Sequence, residues 1–141
     1  MELKKIAGFD LYGKGSGVAF EEIKNEYEYI KNNLRLAEVE EKVFEVGCGS
    51  GAYMYFFNKD GFKIGGLDYA ENMLKITRAV VGDKMIECIC ATADKIPTEI
   101  KYDAVFYFSV FQYFDNLEYA EKVLDLMLEK AEKSVGLMEK F

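Results

Sequence analysis

Val43-Phe44-Glu45-Val46-Gly47-Cys48-Gly49-Ser50-Gly51 decides how this chain is read. An apolar run of strand type gives way to alternating glycines, and a helix-like stretch starts near Ala52, so the spacing predicts strand, tight turn and helix in succession. Nucleotides bind at such corners, because glycine lets the backbone approach a ligand and supplies the positive φ that a sharp turn often demands. Glu45 is out of place in the apolar run. A carboxylate there is costly to desolvate, and a cationic ligand group beside it would account for its presence. Gly47-x-Gly49-x-x-Ala52 also fits the relaxed dinucleotide fingerprint, with a pyrophosphate at the helix N-terminus. The glycines alone leave both ligands open, along with a turn that binds nothing.

The 141 residues suit a single domain with a proper core, and half of them are hydrophobic with one proline, a composition that folds and does not stay disordered. A formal charge of −7 disfavours nucleic acid as a partner, since the chain has no general basic field. No apolar run reaches the roughly 20 residues that span a bilayer, and the N-terminus lacks a signal-peptide core, so the expected location is the cytoplasm. Cys48, Cys88 and Cys90 form no CxxC pair and suit reduced thiols. Histidine is absent, so Cys88 and Cys90 read as core residues and no metal site is expected.

Upstream of the corner, residues 1–17 read as an aromatic, glycine-rich loop that either folds over a ligand pocket or forms a simple arm, with Tyr12 and Lys14 as contact candidates. Gly8 to Lys14 has the spacing of a phosphate-binding loop. However, Gly15 replaces the Ser or Thr that would hold magnesium, and no buried strand precedes it. Residues 18–141 form the domain proper. Phe20, Ile23, Tyr27, Ile30 and Leu34 recur at helical steps from Val18 to about Leu36.

Downstream, Lys63 to Asp68 reads as a second strand ending in an acid, 17 positions beyond Gly51, near where a carboxylate reaches ribose hydroxyls. Asp68-Tyr69-Ala70-Glu71 equally has capping-box spacing. Met85 to Ala91 is a third strand. Asp94 follows it in a loop, placed either to accept an adenine amino hydrogen or as an ordinary turn aspartate. Tyr102 to Phe108 is a fourth strand, apolar enough to be covered on both faces. Gln112 and Tyr113, just beyond it, are polar-tipped candidates for positioning a substrate. A helix with Leu117, Ala120, Leu124, Met127 and Ala131 on one side precedes a fifth strand, Ser134 to Met138. Strands alternating with helices predict an α/β fold, a doubly wound and mostly parallel five-stranded sheet with helices on both faces.

Taken together, Glu45-Val46-Gly47-Cys48-Gly49-Ser50-Gly51, then Asp68, Ala93-Asp94 before Ile96-Pro97, and Tyr102-Asp103-Ala104-Val105 running into Ser109 resemble the class I S-adenosylmethionine-dependent methyltransferases. The likeness runs from about residue 39 to 141. It implies a Rossmann-like methyltransferase fold and S-adenosyl-L-methionine as cofactor, leaving as S-adenosyl-L-homocysteine. By resemblance, the turn of Gly47, Cys48, Gly49 and Gly51 approaches the amino-acid part of the cofactor, with Glu45 near its ammonium. Asp68 holds the ribose, Tyr69 and Met73 flank the adenine, Ala93 and Asp94 read its edge, and Ser109 closes the cofactor set. A ligand bearing ammonium and sulfonium also explains Glu45 better than a pyrophosphate, which it would repel.

The expected activity is methyl transfer to a small-molecule acceptor by in-line displacement, in which alignment of the reactants supplies much of the acceleration. No catalytic residue is assigned; Tyr12, Gln112 and Tyr113 are acceptor-positioning candidates. The rivals are an NAD-dependent oxidoreductase on the same fold and a non-catalytic cofactor-binding module or subunit of a complex. Members of the family usually carry two further strands after the fifth. The reading here therefore expects either a truncated product or a sheet edge completed by a homodimer mate or another chain.

Overall fold

The computed structural model describes residues 16–36, 40–108 and 116–139. Strand β1 (Lys42–Val46) lies at the centre of the sheet, flanked by β2 (Lys63–Asp68) and β4 (Tyr102–Phe108). β3 (Met85–Cys90) adds beyond β2, and β5 (Ala131–Met138) beyond β4, giving the order β3-β2-β1-β4-β5 with every pairing parallel. The order reverses at β1, so the next connection leaves for the opposite side and a crevice opens at the carboxyl ends of β1 and β4. This is the doubly wound α/β arrangement that the strand and helix alternation predicts.

Alternation along β1 feeds two cores. Val43 packs on the face covered by α1 (Ser16–Asn33), α2 (Ala52–Lys59) and α3 (Glu71–Val81), whereas Phe44 and Val46 face α4 (Leu117–Lys130). The predicted stripe of α1 holds: Ile23, Tyr27 and Ile30 are buried, and the helix starts at Ser16, ahead of Val18. Tyr27 meets Phe57 edge-on at 4.8 Å and donates its hydroxyl to Asp60, tying α1 to the end of α2. Each such fully buried large apolar side chain contributes about 1.5–3 kcal/mol relative to exposure.

Two sequence expectations change. On α4 the inward side is Val123, Met127 and Lys130, while Leu117 is 74% exposed at the first turn. Cys88 is only half-buried and Cys90 is exposed, because β3 is an edge strand paired on one side alone among the described residues; Cys48 is the buried thiol.

The two glycines of β2 have a packing cause. A Cβ on Gly65 would lie 2.2 Å from the Tyr102 hydroxyl, which crosses over this strand to donate to Glu87 of β3 at 2.9 Å. Gly65→Ala should therefore lower stability by about 1–3 kcal/mol through overpacking, readable as a lower thermal midpoint with an unchanged far-ultraviolet spectrum.

Candidate functional site

Between β1 and α2 the chain turns on three glycines with positive φ, Gly47 (73°), Gly49 (55°) and Gly51 (83°). Backbone bonds pin the turn to its neighbour: the amides of Gly47 and Cys48 both donate to the Leu67 carbonyl, at 2.7 and 3.0 Å. Beneath it, the buried Thr77 of α3 donates to the Gly49 carbonyl at 2.7 Å. Gly49 faces open space, with only the Met73 methyl 3.9 Å from where a Cβ would stand. A side chain at Gly51 would instead strike Thr77 at 3.1 Å. The last glycine thus serves helix packing, whereas Gly49 keeps the backbone approachable.

Above this turn lies a cavity of about 700 Å³, walled at the carboxyl ends of β1, β2 and β4 and by the loop after β3. It brings together Glu45, Gly47, Cys48, Gly49, Asp68, Tyr69, Met73 and Ala93 from the sequence-predicted set. Asp68 is buried, and both its oxygens are engaged. Oδ1 accepts the Gly49 amide at 3.2 Å and Oδ2 the Ala70 amide at 3.0 Å, so the acid that ends β2 clamps the glycine turn. The N-cap of α3 is Ala70 and no side chain caps it, so the capping box that the spacing allows does not form. Tyr69 stands at the rim, 71% exposed.

Asp94 is not on the cavity wall. It lies in the single 3-10 turn after β3 and accepts the Thr92 hydroxyl at 2.5 Å, which holds its carboxyl below the usual range; the wall there is Thr92 and Ala93. Gly51 is likewise behind the wall. Tyr12, Lys14, Ser109, Gln112 and Tyr113 lie outside the described residues.

Glu45 is the unusual member. It is 2% exposed, its Oε1 has no hydrogen-bond partner among the described residues, and none of the ion pairs described there includes it. Burial, with the Asp68 charge adding to it, pushes its carboxyl well above the ordinary carboxylate range. Burial also pushes the Cys48 thiol up, with the Glu45 and Asp68 carboxyls adding to the effect.

An aromatic wall completes the cavity and was missed in the sequence: Tyr53 of α2, Tyr107 and Phe108 of β4, and Tyr119 of α4, with Ile23 of α1. The Tyr53 and Phe108 rings meet edge-on at 5.5 Å, and the Tyr53 hydroxyl donates to Glu26 at 3.2 Å. The signal was present in the topology, since Tyr107 and Phe108 are the last residues of the strand beside the switch point.

The site thus consists of an acid, a three-glycine turn, a second acid at the next strand end and a cavity at the switch point. The sequence model of a family described as a methyltransferase domain matches residues 44–130, more than half of the chain. The protein belongs to that methyltransferase domain family. No curated protein sequence matches it. Among solved structures it is similar to DesVI of Streptomyces venezuelae, at 20% identity and a TM-score of 0.67, over 94% of this chain and 54% of that one. It is similar to magnesium protoporphyrin IX methyltransferase from Synechocystis with bound S-adenosylmethionine, at 18% identity and a TM-score of 0.64, over 94% and 73% of the two chains. A third is CalS10, an amino pentose methyltransferase from Micromonospora echinaspora, at 18% identity and a TM-score of 0.62, over 80% and 46%. At these identities the likeness is one of fold. The chain spans about half the length of the first solved structures it matches, 46% to 54%. Among the described residues, no helix is long and apolar enough to cross a membrane.

Proposed function

We propose that this domain binds S-adenosylmethionine across the carboxyl ends of β1 and β2 and serves methyl transfer to a small-molecule acceptor in the cytoplasm. The observation that carries the reading is Glu45, a buried carboxylate in the cavity wall whose Oε1 has no partner among the described residues. An ammonium group supplies the missing donor and a phosphate brings none; this favours an amino-acid tail over a dinucleotide. Family membership points the same way and gives no support to a nicotinamide cofactor.

On this reading the open backbone at Gly49 receives the tail and the lone pairs of Asp68 not used by Gly49 and Ala70 accept the ribose hydroxyls. Tyr69 and Met73 flank the adenine. The Ala93 backbone reads its edge, and Asp94, committed by its hydrogen bond to Thr92, holds the turn that carries Thr92 and Ala93 on the wall. When bound, the cofactor supplies a methyl group on a cationic sulfur, open to in-line attack. The chain contributes alignment and exclusion of water: the aromatic wall of Tyr53, Tyr107 and Phe108 offers an apolar bed for an acceptor. Ser109 remains a cofactor-binding candidate, and Tyr12, Gln112 and Tyr113 remain acceptor-positioning candidates. The outer edge of β5, which pairs with no strand among the described residues, is where a further strand would add, from a second copy or another chain.

Calorimetric titration tests the cofactor assignment. S-adenosylhomocysteine should bind with a saturable heat and NAD should give none. Saturable NAD binding with no response to S-adenosylhomocysteine would overturn it.

A further inference from the structure

We propose that Glu45 carries a proton in the ligand-free cavity and releases it to solvent when the ammonium of the cofactor tail arrives, so the site exchanges a proton for a cation. This inference rests on the cofactor reading above and adds the way the site selects charge. The balance is simple: the carboxyl O–H of Glu45 breaks, the proton leaves to buffer, and the ammonium stays whole beside the new carboxylate.

The geometry leaves few alternatives. Glu45 sits near the carboxyl end of the central strand, paired in register with Gly66 on β2 and Phe106 on β4, neither of which brings a charge. Facing the cavity with it are the Asp68 carboxylate from β2, the Cys48 thiol from the turn and the Tyr107 ring from β4. From α1 and α2 come Ile23 and Tyr53, the latter bound to Glu26; from α3 come Met73 and, beneath the turn, Thr77. No described ion pair includes Glu45, no lysine or arginine lines the cavity among the described residues, and the charge that acts on it is that of Asp68. An anion at Glu45 would therefore stand beside Asp68 with no described counter-charge, and the raised carboxyl agrees with the neutral form in the ligand-free state. The incoming ammonium reverses that balance. A neutral tail supplies no charge to draw the proton off, and a phosphate would hold it on, so neither drives the exchange.

The test is titration of the full 141-residue chain with S-adenosylhomocysteine near neutral pH in two buffers of different ionisation enthalpy, phosphate and Tris. Release of about one proton should separate the two apparent enthalpies, and Kd should tighten by about tenfold per pH unit until pH reaches the raised value of Glu45 in the free protein, where the release ends. Glu45→Gln should bind more weakly, with equal heats in both buffers. Equal heats for the parent protein would overturn the proton exchange while leaving the cofactor assignment standing. No binding at all would overturn that assignment and this inference with it.

A second readout needs no ligand. A carboxyl raised by folding gives its full stability below the ordinary carboxylate range and loses it as pH climbs toward the raised value. The ligand-free parent should thus lose thermal midpoint relative to Glu45→Gln as pH rises from about 5 to about 8. Parallel curves would overturn the protonated state.

Discussion

Lys130→Ala should lower stability by roughly 3–5 kcal/mol, which for a domain of this size places the thermal midpoint about 10–20 °C below the parent. Lys130 ends α4 fully buried, and its ammonium has three partners for three hydrogens: Glu87 at 2.9 Å and the carbonyls of Pro97 at 2.6 Å and Ile100 at 3.0 Å. The rings of Phe44 and Tyr102 stand 4.6 and 4.9 Å from the nitrogen, so its remaining surface meets aromatic faces. Removing it leaves the Glu87 carboxylate with the Tyr102 hydroxyl as its one described donor and strips two carbonyls of theirs. The charge part of that loss separates from the rest in Lys130→Met combined with Glu87→Gln, which keeps an acceptor for Tyr102 and carries no net charge. The double variant should recover about half of the loss, since an uncompensated buried charge is the largest single cost. Thermal unfolding followed by circular dichroism measures all three proteins. A midpoint for Lys130→Ala within about 2 °C of the parent would mean that the buried network adds nothing to stability.

That lysine marks what the sequence left unreadable. Strand and helix alternation gives the sheet, and the apolar run of β4 gives its central place, because those signals depend on local periodicity. A lysine in the last turn of an amphipathic helix reads as solvated, and nothing nearby in sequence announces Glu87, Pro97 and Ile100 as its partners. Leu117 fails for the converse reason: it continues the apolar stripe of α4 but belongs to the first turn, beyond the reach of the sheet. Gly65 likewise looks like a defect in a strand until Tyr102, from a distant strand, is found occupying its missing side chain.

The site divides along the same line. Glu45, the glycine turn and Asp68 are legible because each breaks a local rule: a charge in an apolar strand, glycines at a strand end, an acid closing a strand. Their neighbours break none. Tyr53, Tyr107 and Phe108 pass for core aromatics, and only the reversal of strand order turns the end of β4 into a cavity wall. Asp94 shows the limit of a loop-position argument. Its place after β3 suits a ligand contact, yet Thr92, two residues earlier, already supplies a hydrogen bond and stands on the wall in its stead.

Asp68→Ala should weaken S-adenosylhomocysteine about a hundredfold, corresponding to roughly 3 kcal/mol, while the chain remains folded. Two functions meet in this carboxylate. It accepts the Gly49 amide at 3.2 Å and the Ala70 amide at 3.0 Å, so it fixes the glycine turn and the entry to α3, and it presents its remaining lone pairs to the cavity. Alanine removes both, leaving two backbone donors unmatched and the ribose without an acceptor. An asparagine side chain offers one acceptor oxygen and no charge, so Asp68→Asn should fall between, about tenfold weaker than the parent, since a charged acceptor contributes about twice what a neutral one does. Calorimetry gives the affinities, and the thermal midpoint of each ligand-free variant shows how much of the effect is clamp and how much is contact. A pure turn aspartate would behave otherwise: the midpoint would fall in Asp68→Ala while Kd stayed within about twofold of the parent, because the unclamped turn would still re-form around the ligand. A hundredfold loss of affinity with only a small fall in midpoint is the signature of a carboxylate that the ligand itself requires.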